Sequence, residues 1–117
     1  MRILIVDDSV MSCGQLVRMT SVLFKDADIR YVLDAQKAIK YLEQNKTDIV
    51  LTDVDMPYID GFELEHMIRD QFPDVCVYFE TGTTPAYMKS MGIPAGKCLF
   101  KPFTAKALQD LLCDWLQ

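Results

Sequence analysis

The chain has 117 residues, of which 50% are hydrophobic, so we expect a single domain over residues 1–117 with an apolar core of its own. An excess of 17 acidic over 12 basic residues gives a net charge of −5, which argues against direct binding of nucleic acid. No apolar run reaches the roughly 18 residues of a membrane span. The acidic start, MRILIVDD, is not typical of a signal peptide, so we expect a cytoplasmic protein.

Short apolar segments alternate with amphipathic segments along the chain. The first, 3–6, is an unbroken run rich in β-branched residues, as expected of a strand that is covered on both faces. The predicted strands are 3–6, 29–33, 49–51, 75–79 and 98–100, and helix N-caps are predicted at Asp8 or Ser9, Asp34, Thr84 and Thr104.

The last two helices differ in length. Pro85 after the cap Thr84, with Gly92 and Pro94 as a stop, predicts a fourth helix of only about two turns. The last helix is predicted to place Leu108, Leu111, Leu112 and Trp115 inward. Five βα units predict an α/β protein with an open, parallel, doubly wound sheet.

Polar residues end four of the predicted strands. Asp7 and Asp8 follow the first strand, Asp53 the third, Thr81 the fourth and Lys101 the fifth. Each alone has an ordinary explanation as a helix cap, a turn residue or a solvated side chain. In a parallel α/β sheet, however, ligands bind beyond the carboxyl ends of the strands, where the strand order reverses. The convergence of these residues on that edge therefore predicts a functional site.

Three acids, a hydroxyl and an amine suit phosphoryl chemistry. Crowded carboxylates either raise their pKa values or hold a cation. Oxygen ligands suit Mg²⁺, which binds one or two carboxylates together with phosphate oxygens. The ion would offset the negative charge that repels a phosphoryl donor, and Lys101 would add a positive charge at the phosphoryl oxygens. An aspartate in such a site can act as the nucleophile and form an aspartyl phosphate.

Four motifs carry a resemblance to a known family. They are VDDS (6–9), LTDVDMPYIDGFEL (51–64), ETG (80–82) and KPF (101–103). In order and spacing they resemble the receiver domain of two-component response regulators, of the type found in chemotaxis regulators, and the resemblance covers the whole chain. It implies a five-stranded, flavodoxin-like (βα)5 fold with strand order 2-1-3-4-5.

The resemblance also implies roles for the strand-end residues. Asp53 would accept a phosphoryl group from a histidine kinase or a small donor such as acetyl phosphate, and Thr81 and Lys101 would bind that group. Asp7 and Asp8 would arrange Mg²⁺ together with Asp53 and the backbone carbonyl of Asp55. As a phosphoprotein in phosphorelay signal transduction, the domain would assist only its own phosphotransfer and dephosphorylation.

The family further implies protein partners. These are a sensor histidine kinase or phosphotransfer protein as donor, and an output domain or target protein as receiver of the signal. A dimer through the face of helices four and five is a further expectation. No membrane partner and no nucleic acid are expected for this domain.

The chain departs from the family pattern at two positions near the site. Cys98 stands three residues before the lysine, where the family usually has an aromatic residue that rotates inward on activation. We interpret Cys98 as a small core residue rather than a redox sensor. Glu80 stands where an apolar residue is common, and the segment 81–101 is slightly short.

Three alternatives remain to be weighed. The sequence DVDMP is similar to the nucleophile motif of haloacid-dehalogenase-type phosphatases, with Asp53 as nucleophile and Asp55 as acid, but that motif normally ends the first strand. The sequence TGTTP (81–85) is similar to the phosphate loop of flavodoxin-like FMN carriers, but that loop follows strand one. A binding module that is independent of phosphorylation is disfavoured because every phosphorylation residue is present.

Overall fold

Five parallel strands form one sheet in the computed structural model, which describes residues 1–116. They are β1 (Arg2–Val6), β2 (Asp28–Val32), β3 (Ile49–Asp53), β4 (Cys76–Thr81) and β5 (Cys98–Phe100). Their order is β2-β1-β3-β4-β5, which confirms the predicted fold class and topology. Strands β3 and β4 extend two residues beyond their predicted ends, so Asp53 and Thr81 are themselves the last paired residues.

Five helices connect and cover the strands. They are α1 (Val10–Leu23), α2 (Ala35–Gln44), α3 (Gly61–Gln71), α4 (Pro85–Ser90) and α5 (Ala105–Leu111). Each begins after a residue whose side-chain oxygen accepts a hydrogen bond from a backbone N–H of the first turn, and these N-caps are Ser9, Asp34, Asp60, Thr84 and Thr104. Ser9, not Asp8, is therefore the cap of α1, which leaves the Asp8 carboxylate free of that role.

The fourth helix is short, as predicted, with six residues. The fifth is shorter than predicted, because Trp115 lies in a separate 3₁₀ turn, Cys113–Trp115. The indole N–H of Trp115 donates a 2.9 Å hydrogen bond to the hydroxyl of Tyr78 on β4. The tighter turn thus ties the end of the chain to the sheet.

The sheet is covered on both faces. Ile3 and Ile5 of β1 pack in the cluster under α1 and α5, whereas Leu4 and Val6 pack under α2 and α3. Alternate side chains of a strand point to opposite faces, so a strand covered on both sides must be apolar throughout. A third cluster, which includes Phe79, lies beneath α4. Within residues 1–116, no helix has the length and apolar character needed to cross a bilayer.

Candidate functional site

One face of the sheet changes from apolar to charged at the carboxyl ends of its strands. Ile5, Leu51, Tyr78 and Leu99 belong to the core cluster under α1 and α5. The residues two positions after these four in the chain are, in the same order, Asp7, Asp53, Glu80 and Lys101. Because side chains two residues apart in a strand share a face, the same packing that buries the four apolar residues directs these charged residues to one edge. We call these four residues the charged cluster.

The four members of the charged cluster are close together. The Lys101 Nζ lies 3.7 Å from Asp53 Oδ1 and 3.2 Å from Glu80 Oε1. Asp7, Asp53 and Glu80 each offer a carboxylate oxygen, and these oxygens lie within 4.8 Å of one another. All three acids are buried, whereas a third of the Lys101 side chain is exposed. The cluster therefore concentrates three carboxylates around one ammonium group in a region largely shielded from water.

This crowding changes the protonation of the acids. Burial raises the pKa of Asp53 to about 6, with a further increase from the charge of Asp7 that Lys101 partly offsets. Burial raises the pKa of Glu80 to about 9, and the second cause is Asp7, with which the Glu80 carboxyl group shares a hydrogen bond only in its protonated form. Burial alone would lower the pKa of Lys101, but the charges of Glu80 and Asp53 outweigh it and raise that pKa. Lys101 thus stays charged, and without a further cation one acid favours its neutral form.

Several buried oxygens lack donors. Within residues 1–116, and with both acids ionised, Asp7 Oδ2 and both carboxylate oxygens of Glu80 accept no hydrogen bond. Leaving buried carboxylate oxygens unpaired is costly, and a divalent cation with a preference for oxygen ligands would satisfy them. The donor set, which consists of oxygens only, fits Mg²⁺ better than a metal that prefers nitrogen or sulfur.

The other two predicted metal ligands lie at the border of the charged cluster. Asp8 is exposed and is not among the three acids that share the cluster, but its charge contributes to the raised pKa of Asp53. The Asp55 side chain is exposed, and its backbone N–H donates a 3.4 Å hydrogen bond to Asp53 Oδ1. The loop after β3 thus approaches the Asp53 carboxylate through its backbone.

Thr81 is buried next to the cluster with its hydroxyl already engaged. Its Oγ1 lies 2.8 Å from the Thr83 hydroxyl and accepts a 3.0 Å hydrogen bond from the Thr83 N–H. The Thr81 carbonyl accepts a 2.8 Å hydrogen bond from the Lys101 N–H. The ends of β4 and β5 are thereby joined, and the hydroxyl is directed into the turn before α4.

Cys98 lies in the core cluster beneath α4. It is 7% exposed and packs in the same cluster as Phe79 and Met88. Burial raises the pKa of its thiol to about 11, which disfavours the reactive thiolate. These features support its interpretation as a core residue.

Glu80 is a member of the charged cluster that the sequence analysis does not assign to the site. In the sequence it differs from the family only as a polar residue where an apolar one is common. The available signal was the strand period, since Glu80 lies two residues after Tyr78 and is paired in register with Asp53. A charged residue on the buried face of a central strand needs a partner, and the partners are the members of the charged cluster.

Comparison with known proteins gives consistent results. The family model of the response regulator receiver domain matches residues 3–112. The sensor protein EvgS of Escherichia coli (strain K12) is 33% identical over 112 residues, which cover 94% of this chain but only 9% of that protein. The chain thus spans a small part of this relative's length.

Solved structures agree with this match. A two component transcriptional regulator AraC from Clostridium phytofermentans ISDg is 31% identical with a TM-score of 0.81, covering 100% of this chain and 92% of that chain. The chemotaxis response regulator CheY4 of Vibrio cholerae shares the fold, with 24% identity and a TM-score of 0.82 over 97% of this chain and 96% of that one. These matches do not favour the phosphatase or the flavin-carrier alternative.

Proposed function

Because the chain belongs to the response regulator receiver domain family, we propose that Asp53 is its phosphoacceptor and that phosphorylation there controls a partner. The observation that carries this proposal is the position of Asp53. It is a buried carboxylate at the end of the central strand β3, with the Lys101 ammonium 3.7 Å away and two further acids beside it. The proximity of a carboxylate, an ammonium group and further carboxylate oxygens supports the proposal, because phosphotransfer needs a nucleophile, a cation for the phosphoryl oxygens and ligands for a metal.

The proposed reaction is a simple transfer. A carboxylate oxygen of Asp53 attacks the phosphorus of the donor, and a new P–O bond forms as the bond to the leaving group breaks. With acetyl phosphate, the leaving group is acetate, which departs as an anion. Lys101 then pairs with a phosphoryl oxygen instead of the free carboxylate. Asp7, Asp8, Asp53 and the backbone carbonyl of Asp55 would hold Mg²⁺, which would supply positive charge to offset that of the phosphoryl oxygens.

Thr81 supplies the proposed link to the rest of the domain. To donate a hydrogen bond to the phosphoryl group, its hydroxyl must leave the Thr83 hydroxyl and N–H that it contacts in the unphosphorylated state. The turn before α4 then loses two hydrogen bonds and can rearrange. Cys98 is too small to act as the aromatic switch of the family, so the turn and α4 would carry the change.

The proposed partners follow from the family. Receiver domains receive phosphoryl groups in signalling with histidine kinases and pass the signal to output domains. For this chain we infer a sensor histidine kinase or phosphotransfer protein as donor, and an output domain or target protein downstream. We further propose that residues 1–117 form one phosphoacceptor domain in the cytoplasm, able to dimerise through the α4 and α5 face, without nucleic acid binding or catalysis on other molecules.

Intact mass spectrometry tests the acceptor. Incubation with acetyl phosphate and Mg²⁺ should add one phosphoryl group to the wild type and none to Asp53→Asn. Asp55→Asn is the matched control, because its side chain is exposed and it should keep the adduct. Retention of the mass shift in Asp53→Asn would overturn the assignment. Loss of turnover in Asp55→Asn, with a stable adduct, would instead favour the phosphatase alternative.

A further inference from the structure

Glu80 brings an ionisable carboxyl group into the core, and neither the fold nor the proposed phosphotransfer accounts for it. It is fully buried and lies one residue before Thr81 on β4, between β3 and β5 in the sheet. An apolar side chain at this position would continue the core cluster formed by Tyr78 and Leu99. Burial of a carboxyl group here costs free energy unless charged or hydrogen-bonding groups compensate it.

The compensation within the protein is incomplete. In the part of the chain that the structure describes, Lys101 is the one cationic side chain at ion-pair distance from an acid of the charged cluster. It faces three carboxylates, those of Asp7, Asp53 and Glu80. Glu80 Oε1 is 3.2 Å from this ammonium, while neither Glu80 oxygen accepts a hydrogen bond within residues 1–116. Asp7 Oδ2 is also without a donor there.

The geometry points to a role for Glu80 in cation binding. We propose that Glu80 contributes a third buried carboxylate to the divalent-cation site, beside Asp7 and Asp53. One of its oxygens lies within 4.8 Å of a carboxylate oxygen from each of the other two acids, and an added cation would bind the oxygens that accept no hydrogen bond there. The ligand class is a hard divalent cation such as Mg²⁺ or Mn²⁺.

The proposal has a consequence for affinity. It rests on the metal site of the proposed function, but it adds an acidic group that the motifs VDDS and DVDMP do not supply. An additional buried carboxylate strengthens attraction for a divalent cation most where water is excluded, because electrostatic interactions are screened least there. The unphosphorylated domain should therefore bind Mn²⁺ more tightly than a variant in which only this carboxylate is neutralised.

Titration of the metal-free protein with Mn²⁺, followed by the electron paramagnetic resonance signal of the free ion, tests the proposal without a phosphodonor. Glu80→Gln keeps the size of the side chain and removes its charge. It should raise the dissociation constant about tenfold or more, in the range found when groups that support a metal site are removed. Glu43→Gln, the same change on the exposed surface of α2, should bind like the wild type.

The outcomes separate this inference from the proposed function. One outcome is that the wild type binds Mn²⁺ and that Asp53→Asn weakens this binding, whereas Glu80→Gln does not. The proposed metal site would then be correct and the role of Glu80 in it wrong. Tighter binding by Glu80→Gln would also overturn the role. If the wild type binds no Mn²⁺, the proposed metal site itself fails. Should Glu80→Gln not fold by circular dichroism, Glu80→Val, an apolar residue that suits the buried strand, must show the same loss of affinity.

Discussion

Replacing Glu80 with glutamine should change how the stability of the domain depends on pH. The Glu80 carboxyl has a pKa of about 9 in the folded metal-free protein, against an ordinary pKa of 4.5 in the unfolded chain. Above pH 4.5 the unfolded state therefore loses this proton while the folded state keeps it. The stability that Glu80 contributes is full below the unfolded pKa and is lost as the pH rises toward the folded pKa.

The size of the effect follows from proton linkage. Each pH unit between the two pKa values costs about 1.4 kcal/mol per retained proton, so the wild type should lose about 3 kcal/mol more than Glu80→Gln from about pH 5 to about pH 7. The raised pKa of Asp53 also lowers the free energy of unfolding as the pH rises, but the wild type and Glu80→Gln share this loss. The difference between the two curves therefore reports Glu80.

Urea unfolding followed by circular dichroism, in EDTA at several pH values, measures this difference. Glu43→Gln, with its exposed side chain, should follow the wild-type curve. Parallel pH dependence of the wild type and Glu80→Gln would refute the reasoning, because it would mean that Glu80 titrates alike in the folded and unfolded states.

Further predictions concern the metal, the loop and the switch. Mg²⁺ should raise the melting temperature above that in EDTA, and Asp8→Ala should lose most of this gain; an unchanged response would place the ion elsewhere. Gly61→Ala should lower the free energy of unfolding in urea by about 3 kcal/mol, because its Cβ would collide with the backbone carbonyl oxygen of Asp53; wild-type stability would show that the loop can move aside. Beryllofluoride, a phosphoryl mimic, should shift the amide resonances of the turn before α4 and of α4. These shifts should survive in Cys98→Ala and shrink in Thr81→Ala, and their loss in Cys98→Ala would make the cysteine a switch element.

Much of the fold could be predicted because it depends on local signals. The apolar run 3–6 indicates a strand covered on both faces, and the cap Thr84 with Gly92 indicates a short α4. The meeting of Asp53 and Lys101 could also be predicted, since parallel strands end at one edge. The roles of the two residues in phosphotransfer stay predictions.

The features that could not be predicted depend on contacts between segments that are distant in the sequence. The spacing of Leu108, Leu111 and Trp115 fits a continuing α-helix, but a hydrogen bond to Tyr78, 37 positions away, accompanies a 3₁₀ turn instead. The position of Glu80 follows from the register of β3 and β4, which aligns it with Asp53. The strand period puts Glu80 on the same face as Tyr78, but no local pattern shows that register, and so the proximity of Glu80 to Asp53 could not be predicted from the sequence.

The central claim is that the phosphoryl group forms a bond to Asp53, and chemical mapping of the adduct tests it most directly. Sodium borohydride reduces an aspartyl phosphate to homoserine, which marks the modified residue irreversibly. After incubation with acetyl phosphate and Mg²⁺, peptide mass spectrometry should find homoserine at position 53 and aspartate at positions 7, 8 and 55. Homoserine at any of those three positions, with aspartate retained at 53, would contradict the account.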